Sequence, residues 1–218
     1  MVDAPRGDVS HPSFDVPALA PFAPGLSPFR VAGTVYRHIL DTVDEIVPGG
    51  LDQVCERLTD ARVVAFLRER FWLTSSYDAV PLPYVAHAIA RARGMSVEQH
   101  LRDAKAAAAR RVGGLYDALT RVLSAETLAA AIPRATALVQ GFGGVRSDVV
   151  GPKHVRGVRT GVPRVLVRWF ACSSGAYVER AVERLGGLGA RSTFGAPTRD
   201  GVVAGHDTFA VPFEVRWS

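Results

Sequence analysis

The residues whose chemistry stands out first are Cys172 and the serines after it, Ser173 and Ser174, because a thiol and neighbouring hydroxyls can act as nucleophiles or bind an anion. The sequence predicts that a strand gives way to a helix here, and the start of a helix offers free amides and a positive dipole end. No G-x-S-x-G elbow surrounds these residues, and no acid and histidine follow at suggestive positions. A helix cap beside a buried cysteine is therefore favoured over an anion site or a thiol enzyme at Cys172.

Metal ligation is not predicted from the histidines and cysteines. The six histidines are scattered, and no two of them stand at metal-ligand spacing on one predicted element. Cys55 and Cys172 are the only cysteines and lie far apart in the sequence, so neither a disulfide framework nor a zinc site is indicated. His206 and Asp207 are interpreted as a turn entering the last strand, in preference to a catalytic pair.

Arginines dominate the segment 146–168, in which Asp148 is the only acid. A solvated sheet face is the favoured interpretation, and a surface that docks an acidic protein or an anionic ligand is the alternative. The residues assigned to that surface are Arg156, Arg159, Arg164 and Arg168. The whole chain has 26 basic and 21 acidic residues, a net charge of +5. Because this mild excess is spread over both halves, nucleic-acid binding is not expected.

A long helix is predicted over residues 96–122, where apolar residues recur at three- and four-residue steps. Ser96 with Gln99 forms a capping-box pattern at its start. The helix is narrow around Ala104 and Ala108 and bulky near Tyr116, so it is predicted to wall one side of an internal pocket. The residues predicted to line that pocket are Trp72, Tyr84, Val112, Tyr116, Leu119, Trp169, Cys172 and Tyr177.

The remaining elements place these residues in an α+β fold, with a helical N-terminal half packed on a C-terminal antiparallel sheet that one helix crosses. Residues 1–28 hold six prolines and are predicted to be a tail or an extended wrap. Helical periodicity fills 29–142, and residues 143–217 change to the two-residue period of strands. Strands are predicted at 145–150, 154–159, 164–169, 190–194 and 208–217, with the crossing helix over 173–185.

Composition bounds the class of protein. A chain of 218 residues with 48% hydrophobic content can bury a full core, and its length favours one domain, here 29–217. No apolar run approaches the ~20 residues of a membrane-spanning helix, and no secretory signal pattern opens the chain. A cytoplasmic protein is therefore expected.

Four short motifs in order carry a resemblance: VAGTV at 31–35, GGL at 49–51, VGGLY at 112–116 and FEVRW at 213–217. Together they resemble an uncharacterised paralogous family of myxobacteria over residues 29–217. That family is similar in layout to the haem-NO/oxygen-binding fold, the vinyl-reductase-like domains and the small TRAPP subunits. The resemblance implies a helical half over an antiparallel sheet with an internal apolar pocket.

Haem is not carried over by this resemblance. The helix over 127–141, where a haem ligand would be expected, contains no histidine and has Pro133 and Arg134 instead. The Tyr-x-Ser-x-Arg signature expected before the C-terminal helix is missing, with WFACS at 169–173 in its place. No cofactor is therefore expected.

Two functions follow from the sequence and the resemblance. The first is a non-enzymatic cytoplasmic sensor or adaptor that binds a small apolar ligand or a lipid chain in the pocket. The alternative is an interaction module that pairs with itself or with a partner protein through the basic sheet or the N-terminal tail.

Overall fold

The computed structural model describes residues 14–111, 124–184 and 186–218, with the side chains of 105–111 excepted. The fold is α+β, as predicted, with helices in the N-terminal half and a mostly antiparallel sheet in the C-terminal half. By its internal contacts the chain divides into two units. The helical unit comprises the described residues of Val16–Ala104 and Ala137–Phe142, and the sheet unit comprises those of Met1–Asp15, Lys105–Thr136 and Gly143–Ser218.

The helical unit is built from short helices around a two-stranded antiparallel sheet. Its elements are β1 (Arg30–Ala32), α1 (Gly33–Ile46), α2 (Gly50–Glu56), α3 (Ala61–Leu67), β2 (Ser76–Asp78), α4 (Pro81–Ala92) and the start of α5 (Val97–Arg111). Its core is aromatic. Tyr36 stacks on Phe71 with the ring centroids 4.5 Å apart, and Phe66 meets both rings edge-on.

The sheet unit is one antiparallel sheet with helices on a single face. Strand order is β3-β4-β7-β5, and β6 pairs with another part of β7. Its elements are the greater part of α6 (Ala125–Val139), β3 (Gly144–Gly151), β4 (His154–Pro163), a 3-10 turn (Arg164–Leu166), α7 (Val167–Arg184), β5 (Arg191–Phe194), β6 (Thr198–Val203) and β7 (His206–Arg216). Every helix among the described residues is too short or too polar to be a candidate membrane span.

Alternation along the strands separates a packed face from an open one. Val211, Phe213 and Val215 are buried along β7, whereas Pro212 and Arg216 between and beyond them are exposed. The buried face joins α6 and α7 in one apolar core. That core consists of Ala125, Leu128, Ala129, Val155, Val182, Ala190, Phe213, Val215 and Trp217.

Three helix starts agree with the caps expected from the sequence. Ser96 Oγ accepts a hydrogen bond from the Gln99 amide at 3.2 Å, and Ser124 Oγ accepts one from the Thr127 amide at 3.1 Å. The Asp60 carboxylate caps α3 by accepting from the Arg62 amide. These caps satisfy amides that the first helical turn leaves without a partner.

Four strand assignments differ from the prediction. The segment 164–169, predicted as a strand, is a 3-10 turn followed by the first turn of α7. Val165, Leu166 and Val167 are all buried in succession, which a helical end packed on a sheet permits and a half-exposed strand does not. The short strands β1 and β2, and the exposed strand β6, were not predicted because three residues, or a strand without apolar alternation, give too weak a periodic signal.

The described part of the proline-rich segment packs on the fold. In the helical unit, the Ala20 amide donates to the buried Asp60 carboxylate at 3.0 Å, and the Gly25 amide donates to Asp78 at 2.9 Å. In the sheet unit, the ring of Phe14 meets Phe209 edge-on with the centroids 5.3 Å apart. Phe14, Ala20 and Gly25 of this segment therefore lie against the folded units.

Candidate functional site

The residues predicted to line an internal pocket fall into three groups. Trp72 and Tyr84 belong to the helical unit. Trp72 is 52% exposed, and the Arg70 guanidinium lies over its ring. Tyr84 is buried and donates its hydroxyl proton to the Leu19 carbonyl at 3.0 Å. In the sheet unit, α7 carries Trp169, Cys172 and Tyr177, each partly buried. Val112, Tyr116 and Leu119 lie outside the described residues. The pocket itself stays a prediction.

Cys172 does not stand at the start of a helix. The helix α7 begins at Val167, so Cys172 and Ser173 lie more than one turn inside it, where the amides are already bonded. Ser173 is buried and donates its hydroxyl proton to the Phe170 carbonyl at 3.3 Å. The predicted helix cap at this position is therefore wrong. The two alternatives, an anion site and a thiol enzyme at Cys172, lose the helix-start geometry on which they depended.

The predicted arginine surface is also corrected by the structure. Arg156 alone of the four lies on the open face of the sheet. Arg159 points to the packed face, where it is 2% exposed over the ring of Phe170, and burial lowers its pKa to about 10. Arg164 is in the 3-10 turn, and Arg168 is in α7, bonded to Asp15 at 2.6 Å. Strand alternation and the unexpected helix both separate these residues.

The charged site that the structure does form is the open sheet face. We use this name for the outward side chains of four neighbouring strands. They are Arg146 and Asp148 of β3, His154, Arg156 and Val158 of β4, Pro212, Glu214 and Arg216 of β7, and Arg191 and Thr193 of β5. Directly paired residues of antiparallel strands point to the same side, so these ten share one surface. All of them except His154 line an open groove of about 1460 Å³.

Glu214 is at the centre of the open sheet face. Its carboxylate accepts hydrogen bonds from Arg156 Nε at 2.9 Å and Arg216 Nη2 at 3.0 Å, and His154 Nε2 lies 3.1 Å away. Partial burial works against the charged form, but the hydrogen bonds from Arg216, Arg156 and His154 together lower the pKa of Glu214. Glu214 is therefore an ionised anchor that aligns two arginines.

Arg146 and Arg191 are the cations that remain available. Both are exposed, and neither forms an ion pair with any residue that the structure describes. Arg191 stands directly opposite Arg216 in the β5–β7 pair, and His154 stands opposite Arg216 on the other side. Two arginines directly opposite each other on one face repel, so an anion beside Arg191 and Arg216 would relieve that repulsion.

Sequence reasoning missed Arg191 and Arg216 as members of this surface. The signal for Arg216 was present, because Pro212, Glu214 and Arg216 occupy the polar positions of the last strand's alternation. Arg191 had no such signal. It joins the surface only through the register of β5 on β7, which pairs residues 25 positions apart.

Binding of a metal or haem requires side chains that can donate a nitrogen, sulfur or oxygen ligand. Among the described residues, no group of three or more His, Cys, Asp or Glu side chains is placed to hold a metal ion. The helix α6, which leads into the sheet, contains no His, Cys, Met or Tyr, the side chains that ligate haem iron. The segment 160–166 before α7 contains no tyrosine, so the Tyr-x-Ser-x-Arg signature is missing at the corrected helix boundary as well.

His100 is the most buried histidine of the described chain, at 4% exposure. Its Nδ1 accepts a hydrogen bond from Arg93 at 3.3 Å, which leaves the ring proton on Nε2. Burial, and then the charge of Arg93, lower its pKa to about 4 against a weaker opposing effect of Asp103. His100 is therefore neutral near pH 7, and Arg93 occupies one of its two ring nitrogens.

Comparison with solved structures identifies the fold. A mutant H-NOX of T. Tengcongensis matches with a TM-score of 0.53 and 12% identity, over 85% of this chain and 97% of that chain. A structure that probes heme distortion in the H-NOX family matches with a TM-score of 0.53 and 11% identity, over 85% and 94%. An oxygen-binding H-NOX domain related to soluble guanylate cyclases matches with a TM-score of 0.52 and 10% identity, over 85% and 94%.

These likenesses show that the chain has the H-NOX type of fold, and at 10–12% identity they show the fold alone. The expected resemblance to the haem-NO/oxygen-binding fold is thereby supported at that level. No family model matches the chain, and no curated protein matches it. The resemblance to a myxobacterial family stays a prediction.

Proposed function

We propose that this protein is a non-enzymatic sensor or adaptor domain that binds a small apolar ligand or a lipid chain in an internal pocket. The observation that carries the proposal is the extent of the fold match. It includes 94–97% of the compared H-NOX chains and 85% of this one, so the whole domain fold is shared. A fold can support many functions, so the ligand must be argued from this chain's own residues.

The ligand that we propose is not haem. Haem iron in proteins is held by an axial His, Cys, Met or Tyr. The helix α6 offers none of these along its fifteen residues and carries Pro133 and Arg134 in its second half. Its apolar residues Leu128 and Ala129 pack instead into the core of the sheet unit. An uncharged apolar molecule can bind without an axial His, Cys, Met or Tyr side chain.

The proposal of a non-enzymatic role is supported by the buried polar groups that the structure describes. Asp78 is fully buried and accepts from the amides of Gly25, Ser27 and Val80 and from the Ser27 hydroxyl. Asp60 accepts from the Ala20 amide and from Arg62. These carboxylates are occupied in holding the fold together, so neither has the geometry of a general base.

The test is native mass spectrometry of the full chain purified from cells, followed by denaturing mass spectrometry of the same sample. The expected result is a mass increment that disappears on denaturation and belongs to an apolar compound in the organic extract. An absorption spectrum is recorded in parallel while hemin is added. A sharp Soret band at one equivalent of hemin would show that the ligand is haem, and a chain that never carries an apolar compound would overturn the proposal.

The pocket prediction at Tyr116, which lies outside the described residues, has its own test. Tyr116→Ala is expected to change ligand occupancy with little change in unfolding, because a pocket wall loses contacts with the ligand first. The matched control Tyr116→Phe keeps the ring and should retain the ligand. Equal occupancy in all three proteins, with strong destabilisation by Tyr116→Ala, would make Tyr116 a core residue only.

A further inference from the structure

The open sheet face carries positive charge that its own acids do not balance. It has four arginines, Arg146, Arg156, Arg191 and Arg216, against Asp148 and Glu214. Glu214 is already shared among Arg156, Arg216 and His154. Asp148, like Arg146 and Arg191, forms no ion pair with a described residue. The face therefore offers two free cations and one free anion to an outside partner.

The two free arginines lie at diagonal corners of the open sheet face. Arg146 is on β3 in the row of Val158 and Pro212, and Arg191 is on β5 in the row of Arg216. They are three strand spacings apart across the sheet and four residues apart along it, roughly 19 Å in all. An extended chain of about six residues covers that distance at ~3.3 Å per residue.

We propose that the open sheet face docks an extended acidic segment of a partner protein. Carboxylates of the segment pair with Arg146 and Arg191 at the two ends of the groove. The middle of the segment lies over Val158, Pro212 and Thr193, which are uncharged. Glu214 holds Arg156 and Arg216 in place beneath it, so these cations add a positive field without having to reorganise.

The composition of the face favours a peptide over a nucleic acid. None of its ten outward side chains is aromatic. Phe194, Phe213 and Trp217 also line the groove, but they follow the packed alternation of β5 and β7, and Phe213 and Trp217 are only 8% exposed, which is too little surface for bases to stack on. Asp148 and Glu214 would repel a continuous row of phosphates. A protein segment can carry a basic or a neutral residue opposite Asp148, whereas a phosphate backbone cannot. None of the ten residues of the open sheet face is among those predicted to line the ligand pocket, so this proposal does not depend on that pocket.

The experiment measures fluorescence anisotropy of a labelled ten-residue peptide of alternating glutamate and serine, titrated with the full chain at low salt. The reference probes are the same peptide with glutamine for glutamate, and a ten-nucleotide oligothymidine. The test variant is the double substitution Arg146→Gln with Arg191→Gln. The matched control is Arg57→Gln with Arg91→Gln, which removes two exposed arginines of the helical unit that likewise form no ion pair with described residues.

The glutamate peptide is expected to bind more tightly than the glutamine peptide and the oligothymidine. The test variant should weaken it about tenfold, as expected for the loss of two charge-assisted contacts, and the control less than about twofold. Circular dichroism confirms that both variants fold. Equal weakening by both would show a general charge effect, and tighter oligothymidine binding would show a nucleic-acid surface; either result overturns the proposal, as does equal binding of the two peptides.

Discussion

The helical unit and the sheet unit use their charged groups in opposite ways. In the helical unit, Asp60 and Asp78 are buried, and their carboxylates are occupied by amides of the segment that precedes β1. In the sheet unit, the charges on the open sheet face are exposed or half-exposed, and two of its four arginines form no ion pair with described residues. The first arrangement stabilises a fold, and the second is available for binding.

The energetic reason lies in desolvation. Removing a buried acceptor leaves its donors without water or partner, which costs far more than the net value of the bonds. An exposed arginine is already solvated, so its removal changes stability little while it removes a contact for a partner. The two units should therefore respond differently to similar substitutions.

Asp78→Ala should have the largest effect. It leaves the amides of Gly25, Ser27 and Val80 without their acceptor, so we expect the free energy of unfolding to fall by about 3–5 kcal/mol. The control Asp52→Ala removes an exposed carboxylate bonded to Arg68 and should cost less than about 0.5 kcal/mol. Urea unfolding followed by circular dichroism measures both. Similar losses would remove the contrast between buried and exposed acids.

The protonation of His100 should give the next largest effect. Its pKa is about 4 in the folded protein against 6.5 for an unperturbed histidine, so the unfolded chain takes up a proton first as pH falls. The stability of the fold with a neutral His100 is therefore fully present above about pH 6.5. It is lost as the pH falls toward 4, a decrease of roughly 2–3 kcal/mol in the free energy of unfolding.

His100→Gln removes this titration. The difference in unfolding free energy between wild type and variant should narrow steadily from pH 7 to pH 4, as read from urea unfolding at each pH. Arg93 and Asp103, which lie beside His100, are unchanged in the variant. All other titrating groups are also common to both proteins, so their contributions cancel in the difference. A difference that does not vary with pH would show that His100 is exposed to water in the folded protein.

Gly175→Ala tests how closely α7 lies against β5. A Cβ at this position would stand 2.5 Å from Ser192 Oγ and 2.9 Å from the ring of Phe194. We expect a loss of about 1–2 kcal/mol from this overpacking. At Gly151 a Cβ would meet nothing closer than 3.9 Å, so Gly151→Ala should change stability little. Thermal unfolding of both variants measures the two effects. Equal melting temperatures for the two variants would contradict the close helix–strand contact.

Arg191→Gln should have the smallest effect and the opposite sign. It relieves the like-charge pair with Arg216, so a gain of about 0.3 kcal/mol is expected at low salt. The gain should vanish in high salt because exposed charges are screened. Thermal unfolding at two salt concentrations measures it. A clear loss of stability would mean that Arg191 is a structural residue, and the division between the two units would fail there.

Local signals in the sequence were sufficient for much of the fold. The helices of the helical unit within the described residues, the caps at Ser96, Ser124 and Asp60, and the alternation of β7 were predicted correctly, as was the α+β class. Each depends on residues within a few positions of one another, so the pattern and its physical cause lie in the same short segment.

Segment 164–169 shows where local patterns fail. The apolar residues Val165, Val167 and Trp169 stand at every second position, which suits a strand. The segment nevertheless forms a 3-10 turn and the start of α7. What decided between the two was the burial of Val165, Leu166 and Val167 together in the sheet unit, and burial of this kind is a property of the assembled core.

The sequence alone determined that the C-terminal half is rich in arginine and built from alternating strands. Only the tertiary structure decided which arginines share a surface. Strand parity sends Arg156 outward and Arg159 into the core, and strand register brings Arg191 beside Arg216. Register is set by backbone hydrogen bonds between distant segments, and a shift of one residue would exchange the two faces, so it cannot be inferred from the spacing of residues along one strand.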